Sequence, residues 1–504
     1  MSSSEMSDTQ TNDTTFKYSA THGIQHEEPL LFEHAHDAPE SIHLPGIEGD
    51  IPDALAAFAR KSPANIPGLS EPETVRHFVR MSQWNHGIET GFYPLGSCTM
   101  KYNPRVNEQV ARLPGLAHIH PDQPEDTVQG AFELLYEVQN WLGEISGLPY
   151  VTLQPAAGAH GELAGLMMIR ACLDARGDTE RRTVLVPDSA HGTNPASAAL
   201  CGMHTVELKS GADGRIDLDE LKAHLNDETA ALMMTNPNTA GAFETDIQEI
   251  CQLVHDAGGL VYGDGANLNA LVGVAKPGDM GIDCLHINVH KTFSTPHGGG
   301  GPGAGPVAVN STLSPYLPVP RIVKEGDIYR LETDSNTSIG SILSSIGQSG
   351  VFMRANAYIS AYGRESLHKI AEDAVLNANY ILHRLKDVYH VPFEGVCKHE
   401  CLLTDEYQNK HGIKTLDIAK RLIDLGFHPM TVYFPLIVHG AMLIEPTETE
   451  SRETLDAFCD AMLEIAAQCE AGDTEMLHEA PVKPFRRRLD ETQAARKPVL
   501  VWQG

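Results

Sequence analysis

From about residue 125 onward the chain alternates between two hydrophobic periods. EDTVQGAFELLYEVQNWLGEISG, 125 to 147, returns apolar residues every three or four positions and predicts a long amphipathic helix. TVLVP (183 to 187), AALMMT (230 to 235), GLVYG (259 to 263) and LHINV (285 to 289) are short apolar runs bounded by polar or small residues, and read as buried strands. IDLDELKAHLN (216 to 226) and TDIQEICQLVHDAGG (245 to 259) return to the helical period, the second closed by Gly258 and Gly259. This alternation predicts βαβ units, and so an α/β chain with a parallel sheet covered on both faces. PVAV (306 to 309) reads as a further strand. Upstream, SEPETVRHFVRMSQ opens a helix, with Ser70 as cap, Pro72 in the first turn and Glu73 three residues after the cap. The chain divides into a flexible segment 1–45, an arm 46–124, a large domain 125–330, a smaller α+β C-terminal domain 331–472 and a tail 473–504.

In parallel sheets ligands sit at the carboxyl ends of strands, and the unusual residues fall there. Ala156 to Ala159 form a small-residue turn directly before a helix, where free amides can hold an anion. Taken alone it is an ordinary helix start. His191, with Thr193 and Asn194, follows TVLVP; Asn236, Pro237 and Asn238 end another strand and are ordinary turn residues by themselves. Asp264 ends GLVYG, where an unpaired carboxylate would cost several kcal/mol and calls for a cation. Lys291 follows at the end of LHINVH, where burial depresses an amine's pKa and makes it a nucleophile able to form Schiff bases. The glycine-rich run after it lets backbone approach an anion.

Gly298, Gly300 and Gly303 formally match a dinucleotide motif, but Pro302 and Pro306 interrupt the place where its helix should open. A Walker loop needs glycine before its lysine, and His290 stands there. Anion turn, imidazole, Asn, Asp and Lys, in that order on a βαβ sheet, is the arrangement of a fold-type I pyridoxal-phosphate enzyme, whose sheet is seven-stranded and mostly parallel. Lys291 suits the aldehyde, Asp264 the pyridine nitrogen and His191 one ring face, with the small Ala266 against the other.

Composition narrows the field. A formal charge of −30 repels nucleic-acid phosphates and anionic membranes alike. The polar start MSSSEMSDTQTNDTT is no secretory signal, and no stretch approaches the roughly 20 apolar residues of a membrane helix. Nine cysteines, an odd count, predict reduced thiols in a cytoplasm, with Cys397 and Cys401 as buried thiols. His118 and His120 alternate as on one face of a strand, but nothing nearby completes a metal site, so no metal is expected. Arg486, Arg487 and Arg488 are read as clasping acidic surface. Ser97, Cys98, Thr99 and Lys101 read as a polar turn.

HINVHKTFSTPHGGGGPGAGP resembles the lysine motif of the glycine cleavage system P-protein, glycine dehydrogenase (decarboxylating). The resemblance runs through GFYPLGSCTMKYNP, HPDQPEDTVQG, QPAAGAHGE, DSAHGTNPASA, YGDGANLNA, TLDIAKRLIDLGFHPMTVYFP and EPTETESRETLDAF, covering roughly residues 80 to 500. It implies pyridoxal 5'-phosphate covalently held on Lys291, with Ala157, Gly158, His191, Thr193, Asn236, Asp264, Ala266 and His290 around it, and Ser97, Cys98, Thr99 and Lys101 of GSCTMK at the substrate mouth. It implies decarboxylation of glycine, with the aminomethyl group passed to the oxidised lipoyl group of the H-protein. It also implies the second, cofactor-bearing subunit of the split form, paired with a homologous first subunit as α2β2. TSIGSILSSIGQSGVFMRANAYISAYG (337 to 363) departs from the family in having fewer aromatic residues before its helix. The competing readings are a cofactor-free scaffold subunit, and a serine hydroxymethyltransferase-like or aminotransferase activity. The latter need a carboxylate-binding arginine, for which Arg321 and Arg354 are the candidates.

Overall fold

The computed structural model describes residues 28–34, 55, 57–62, 68–298, 303–484 and 486–501. Most of the segment 1–45, and Gly300 with Pro302 of the glycine run, lie outside the described residues.

The main sheet is built from β1 (Tyr150–Thr152), β2 (Thr183–Pro187), β3 (His204–Leu208), β4 (Thr229–Thr235), β5 (Leu260–Gly265), β6 (Cys284–Ile287) and β7 (Val307–Val309). Their order is β1-β7-β6-β5-β4-β2-β3, with only β7 antiparallel to its neighbours. The apolar runs form strands because both faces are covered and successive side chains point to opposite faces. Leu185, Leu232, Met234 and Val261 join one core, while Val184, Val186, Met233 and Tyr262 join the other. The helices Gln129–Ser146 and Ile247–Asp256 cover the first face; Gly158–Arg176 covers the second. That last helix lies close to the sheet: a Cβ on Gly165 would stand 2.6 Å from the Tyr262 ring, and one on Gly161 2.8 Å from His286.

A hairpin, β8 (Arg321–Glu325) and β9 (Ile328–Glu332), follows the sheet. A second, antiparallel sheet of β10 (Cys401–Thr404), β11 (Thr431–Val432) and β12 (Ala441–Ile444) has its own core with the helix Arg452–Ala471. The helix His368–Leu385 joins the two cores, with Ile370 and Ala371 in the first and Ala378, Ile381 and Leu385 in the second.

The helix Glu71–Ser82 has the capping box expected at Ser70 and Glu73. Three expectations are corrected. His118 and His120 share no strand: Pro114 starts a helical turn, Pro114–Ala117, and both histidines follow it, exposed. The run LHINV is strand only to Ile287; Asn288 ends it, and Val289–Thr292 form one helical turn, so Lys291 sits on that turn. All nine cysteines are free, Cys397 and Cys401 among the buried ones. Arg488 pairs with a buried carboxylate and not with acidic surface, its Nη2 2.8 Å from Asp417. No helix among the described residues is long and apolar enough to cross a membrane.

Candidate active site

A cavity of about 450 Å³ opens at the carboxyl ends of β4, β5 and β6. Gly158, His191, Thr193, Asp264, Ala266, His290 and Lys291 line it, together with Ser97 and Cys98. The topology thus gathers residues from five separate segments at one sheet edge.

Asp264 lies within β5, opposite Thr235 on β4 and His286 on β6. It is 4 % exposed, and its Oδ1 accepts the Ala266 amide at 2.9 Å. The nearest basic group is His286, whose Nε2 is 3.4 Å from Oδ1. Burial lowers the pKa of His286 and brings that of His290 down to about 3, so both rings are neutral. Their hydrogen bonds then have one consistent direction. Tyr262 OH donates to His286 Nδ1 at 2.5 Å, His286 Nε2–H donates to Asn288 Oδ1 at 2.6 Å, Asn288 Nδ2 donates to His290 Nε2 at 3.1 Å, and His290 Nδ1–H donates to Ala304 O at 3.2 Å. Through His286, Asn288 and His290 this row lines the cavity together with Asp264 and Lys291.

Lys291 is half-buried, less enclosed than a strand-end lysine would be, and its Nζ donates to Ser97 O at 2.9 Å. Ser97 and Thr99 have φ of 65° and 49°, a left-handed backbone that non-glycine residues adopt at a cost. Two buried carboxylates hold it: Ser97 N donates to Glu400 Oε2 at 2.7 Å, and Thr99 N and Oγ1 donate to Glu445 at 2.8 and 2.5 Å. Burial raises the pKa of both glutamates, that of Glu400 most strongly, and brings that of His399 down to about 3. His399, Glu400 and Glu445 lie within 4.8 Å of one another by their ligand-capable atoms. Cys98 is pushed up to about 11 by burial, so at neutral pH it is a thiol.

Several sequence candidates lie elsewhere. Thr99 is turned into Glu445 and does not line the cavity. Lys101 is no mouth residue; it is 3 % exposed and ion-paired to Glu448 at 2.6 Å. Asn236 faces a separate small cavity that Asp264 also borders, its Oδ1 taken by the Glu244 amide. Arg354 is clamped on Glu108 at 2.6 and 3.0 Å and Arg321 pairs with Glu332, so neither lines the cavity. Ala157 caps the helix Gly158–Arg176 from an extended conformation.

Glu162 and His286 line the cavity and were not singled out from the sequence. Glu162 stands four residues after Gly158, one turn along the same helix face, and His286, Asn288 and His290 recur every second residue. Both spacings were available as signals.

The cavity suits a phosphorylated aldehyde with a basic ring. The helix Gly158–Arg176 starts at its wall with no side-chain cap, leaving first-turn amides and the positive helix end for an anion. Thr235 Oγ1, on the wall, is buried without a hydrogen-bond partner among the described residues. A mostly parallel seven-stranded sheet with a lysine at its carboxyl edge is the architecture of fold-type I pyridoxal-phosphate enzymes, and this chain is one of that class. Solved structures share the fold: the crystal structure of glycine decarboxylase (P-protein) of the glycine cleavage system, in inhibitor-bound form, superposes with a TM-score of 0.69 at 20% identity, covering 84% of this chain and 100% of that one. A NifS-like protein gives 0.58 at 15% identity, covering 75% and 99%.

Residues 46–329 match the family Glycine cleavage system P-protein, and residues 370–482 match Glycine dehydrogenase, C-terminal domain. Relatives named probable glycine dehydrogenase (decarboxylating) subunit 2 are 53% identical in Listeria monocytogenes, over 94% of this chain and 98% of that one, and 53% identical in Caulobacter vibrioides, over 95% and 93%. The chain belongs to the glycine cleavage system P-protein family.

Proposed function

We infer that this chain is the cofactor-bearing subunit of a two-subunit glycine dehydrogenase, which decarboxylates glycine and passes the aminomethyl group to the oxidised lipoyl group of a carrier protein. The observation that carries this is the placing of Lys291, Asp264 and an uncapped helix start on one cavity, in a chain of the P-protein family. Lys291 is the amine that would hold pyridoxal phosphate, the amides at Gly158 and Ala159 would take its phosphate, and His191 and Ala266 would flank its ring. When bound, the cofactor supplies an electron sink for the pair left behind by departing CO2. Asp264 would face the ring nitrogen and favour its protonated form.

No arginine lines the cavity among the described residues, which weighs against an aminotransferase or serine hydroxymethyltransferase-like activity with its carboxylate clamp. A scaffold role leaves the lysine and aspartate without a task. The name "subunit 2" carried by the relatives supports a companion first subunit as partner; the reading takes that partner to be homologous and the assembly to be α2β2, in the cytoplasm.

The test is reconstitution. CO2 release from glycine is expected when the chain, the companion subunit and a lipoyl carrier are combined; full turnover by this chain alone would overturn the two-subunit reading. In the reconstituted system Asp264→Asn is expected to keep the fold and lower glycine decarboxylation about 100-fold, the scale of losing one main electrostatic stabiliser. Turnover near that of the unaltered enzyme would show that another group supplies the charge.

A further inference from the structure

Glu162 is a second carboxyl group in the same cavity, 4 % exposed, on the first turns of the helix Gly158–Arg176. Its Oε1 is 2.8 Å from Thr193 Oγ1, and Thr193 Oγ1 is 2.9 Å from His191 Nδ1. The Thr193 amide also points at Nδ1, at 3.3 Å. His191 lines the cavity, and its Nε2 has no hydrogen-bond partner among the described residues.

A hydroxyl has one proton to donate, so this row can run in two directions. With Glu162 ionised, Thr193 donates to Oε1 and accepts from His191 Nδ1–H, which leaves Nε2 bare. With Glu162 protonated, Glu162 donates to Thr193, Thr193 donates to Nδ1, and Nε2 carries the hydrogen. The second direction also lets Nδ1 accept the Thr193 amide, which the first does not.

We propose that Glu162, Thr193 and His191 form a proton relay in which the state of a buried glutamate sets the tautomer that His191 presents to the substrate. The proposal rests on the glycine-decarboxylating reading above and adds the route of the proton that reading requires. Glycine arrives as an ammonium ion and must lose a proton to react. As its N–H bond breaks, an N–H bond forms at His191 Nε2. The Nδ1 proton passes to Thr193 Oγ1, and the proton of Thr193 passes to Glu162 Oε1. One proton is stored, and the imidazole is neutral before and after. Run backwards, the relay delivers that proton to the sulfur released when the lipoyl disulfide opens.

The surroundings hold Glu162 near its switching point. Burial and then the neighbouring Asp264 raise it to about 7, while hydrogen bonds from Thr193 and Ser197 and the charge of Lys291 act in the opposite sense. Tyr262 and the neutral His286 complete the titratable groups facing it from the sheet. Below about pH 7 the glutamate holds its proton and Nε2–H prevails; above it Nε2 is bare and ready to take the glycine proton.

The test uses the full chain loaded with pyridoxal phosphate and selectively labelled with 15N-histidine. On raising the pH through 7 the ring nitrogens of His191 are expected to exchange character, Nε2 losing its hydrogen as Nδ1 gains one. Glu162→Gln and Thr193→Val should abolish that exchange, and Thr193→Ser should restore it. In the reconstituted system Thr193→Val is expected to lower kcat about 100-fold at an unchanged KM for glycine, the scale of general acid–base catalysis, and Glu162→Gln to remove the acid limb of the pH profile. A fixed His191 tautomer in the unaltered protein, or an exchange that Thr193→Val leaves intact, overturns the relay. If the tautomer exchanges as stated and glycine is not decarboxylated, the relay stands and the substrate assignment falls.

Discussion

Replacing Lys291 by alanine is expected to lower glycine decarboxylation by about 1000-fold or more, because the variant loses both the amine that holds the cofactor and a basic group beside the reacting carbon. Lys291→Arg should fail equally, since arginine keeps the charge and cannot supply a nucleophilic amine. The fold should survive. Lys291 is half-buried and its one hydrogen bond among the described residues is to Ser97 O, so the loss in stability should stay near 1 kcal/mol. Measuring turnover and denaturant melts on the same preparations separates the two effects. Turnover within tenfold of the unaltered enzyme would remove Lys291 from the chemistry.

The largest stability effect is expected at the neighbouring lysine. Lys101 Nζ donates to Glu448 at 2.6 Å, to Asn269 Oδ1 and Thr292 O at 2.8 Å each, and lies 3.4 Å from Tyr358 OH. It therefore ties the arm, the loop after β5, the turn carrying Lys291 and the segment after β12 at one buried point. Lys101→Met leaves the Glu448 carboxylate buried without its cation, which costs about 3–5 kcal/mol. Removing the stranded charge as well, in the double variant Lys101→Met with Glu448→Gln, should recover much of that. Guanidinium melts of the three proteins check this; a single variant within about 1 kcal/mol of the parent would show the ion pair to be dispensable.

Much of the sheet was legible because its strands are covered on both faces. TVLVP, AALMMT and GLVYG could not be continued as helices of their length, and small or polar residues bounded each. Asp264 and Lys291 stood out for a related reason: a charge at the edge of an apolar run must meet something. The turn at Val289–Thr292 was not legible, because Asn288, which ends the strand, spends its side chain on His286 and His290, and that is a tertiary fact.

The support of the site was the least legible part. GSCTMK reads as a polar turn, yet Ser97 and Thr99 are held by Glu400 and Glu445, 303 and 346 positions away. Nothing local in HECLL or IEPTE announces those roles. Lys101 was misplaced by the same blindness, since its partner Glu448 is 347 positions distant. Glu162 differs: its place one turn beyond Gly158 puts it on the cavity side of the helix, although a glutamate in a helix is ordinarily solvated.

The most direct measurement is reduction of the pyridoxal-phosphate-loaded protein with borohydride, followed by proteolysis and mass mapping of the fixed cofactor. The expected label is on the peptide containing Lys291 alone, with Lys101 unlabelled because its ammonium is enclosed by Glu448, Asn269 and the Thr292 carbonyl. A label on Lys101 or any other lysine, with Lys291 unmodified, would contradict the assignment of this cavity as the cofactor site.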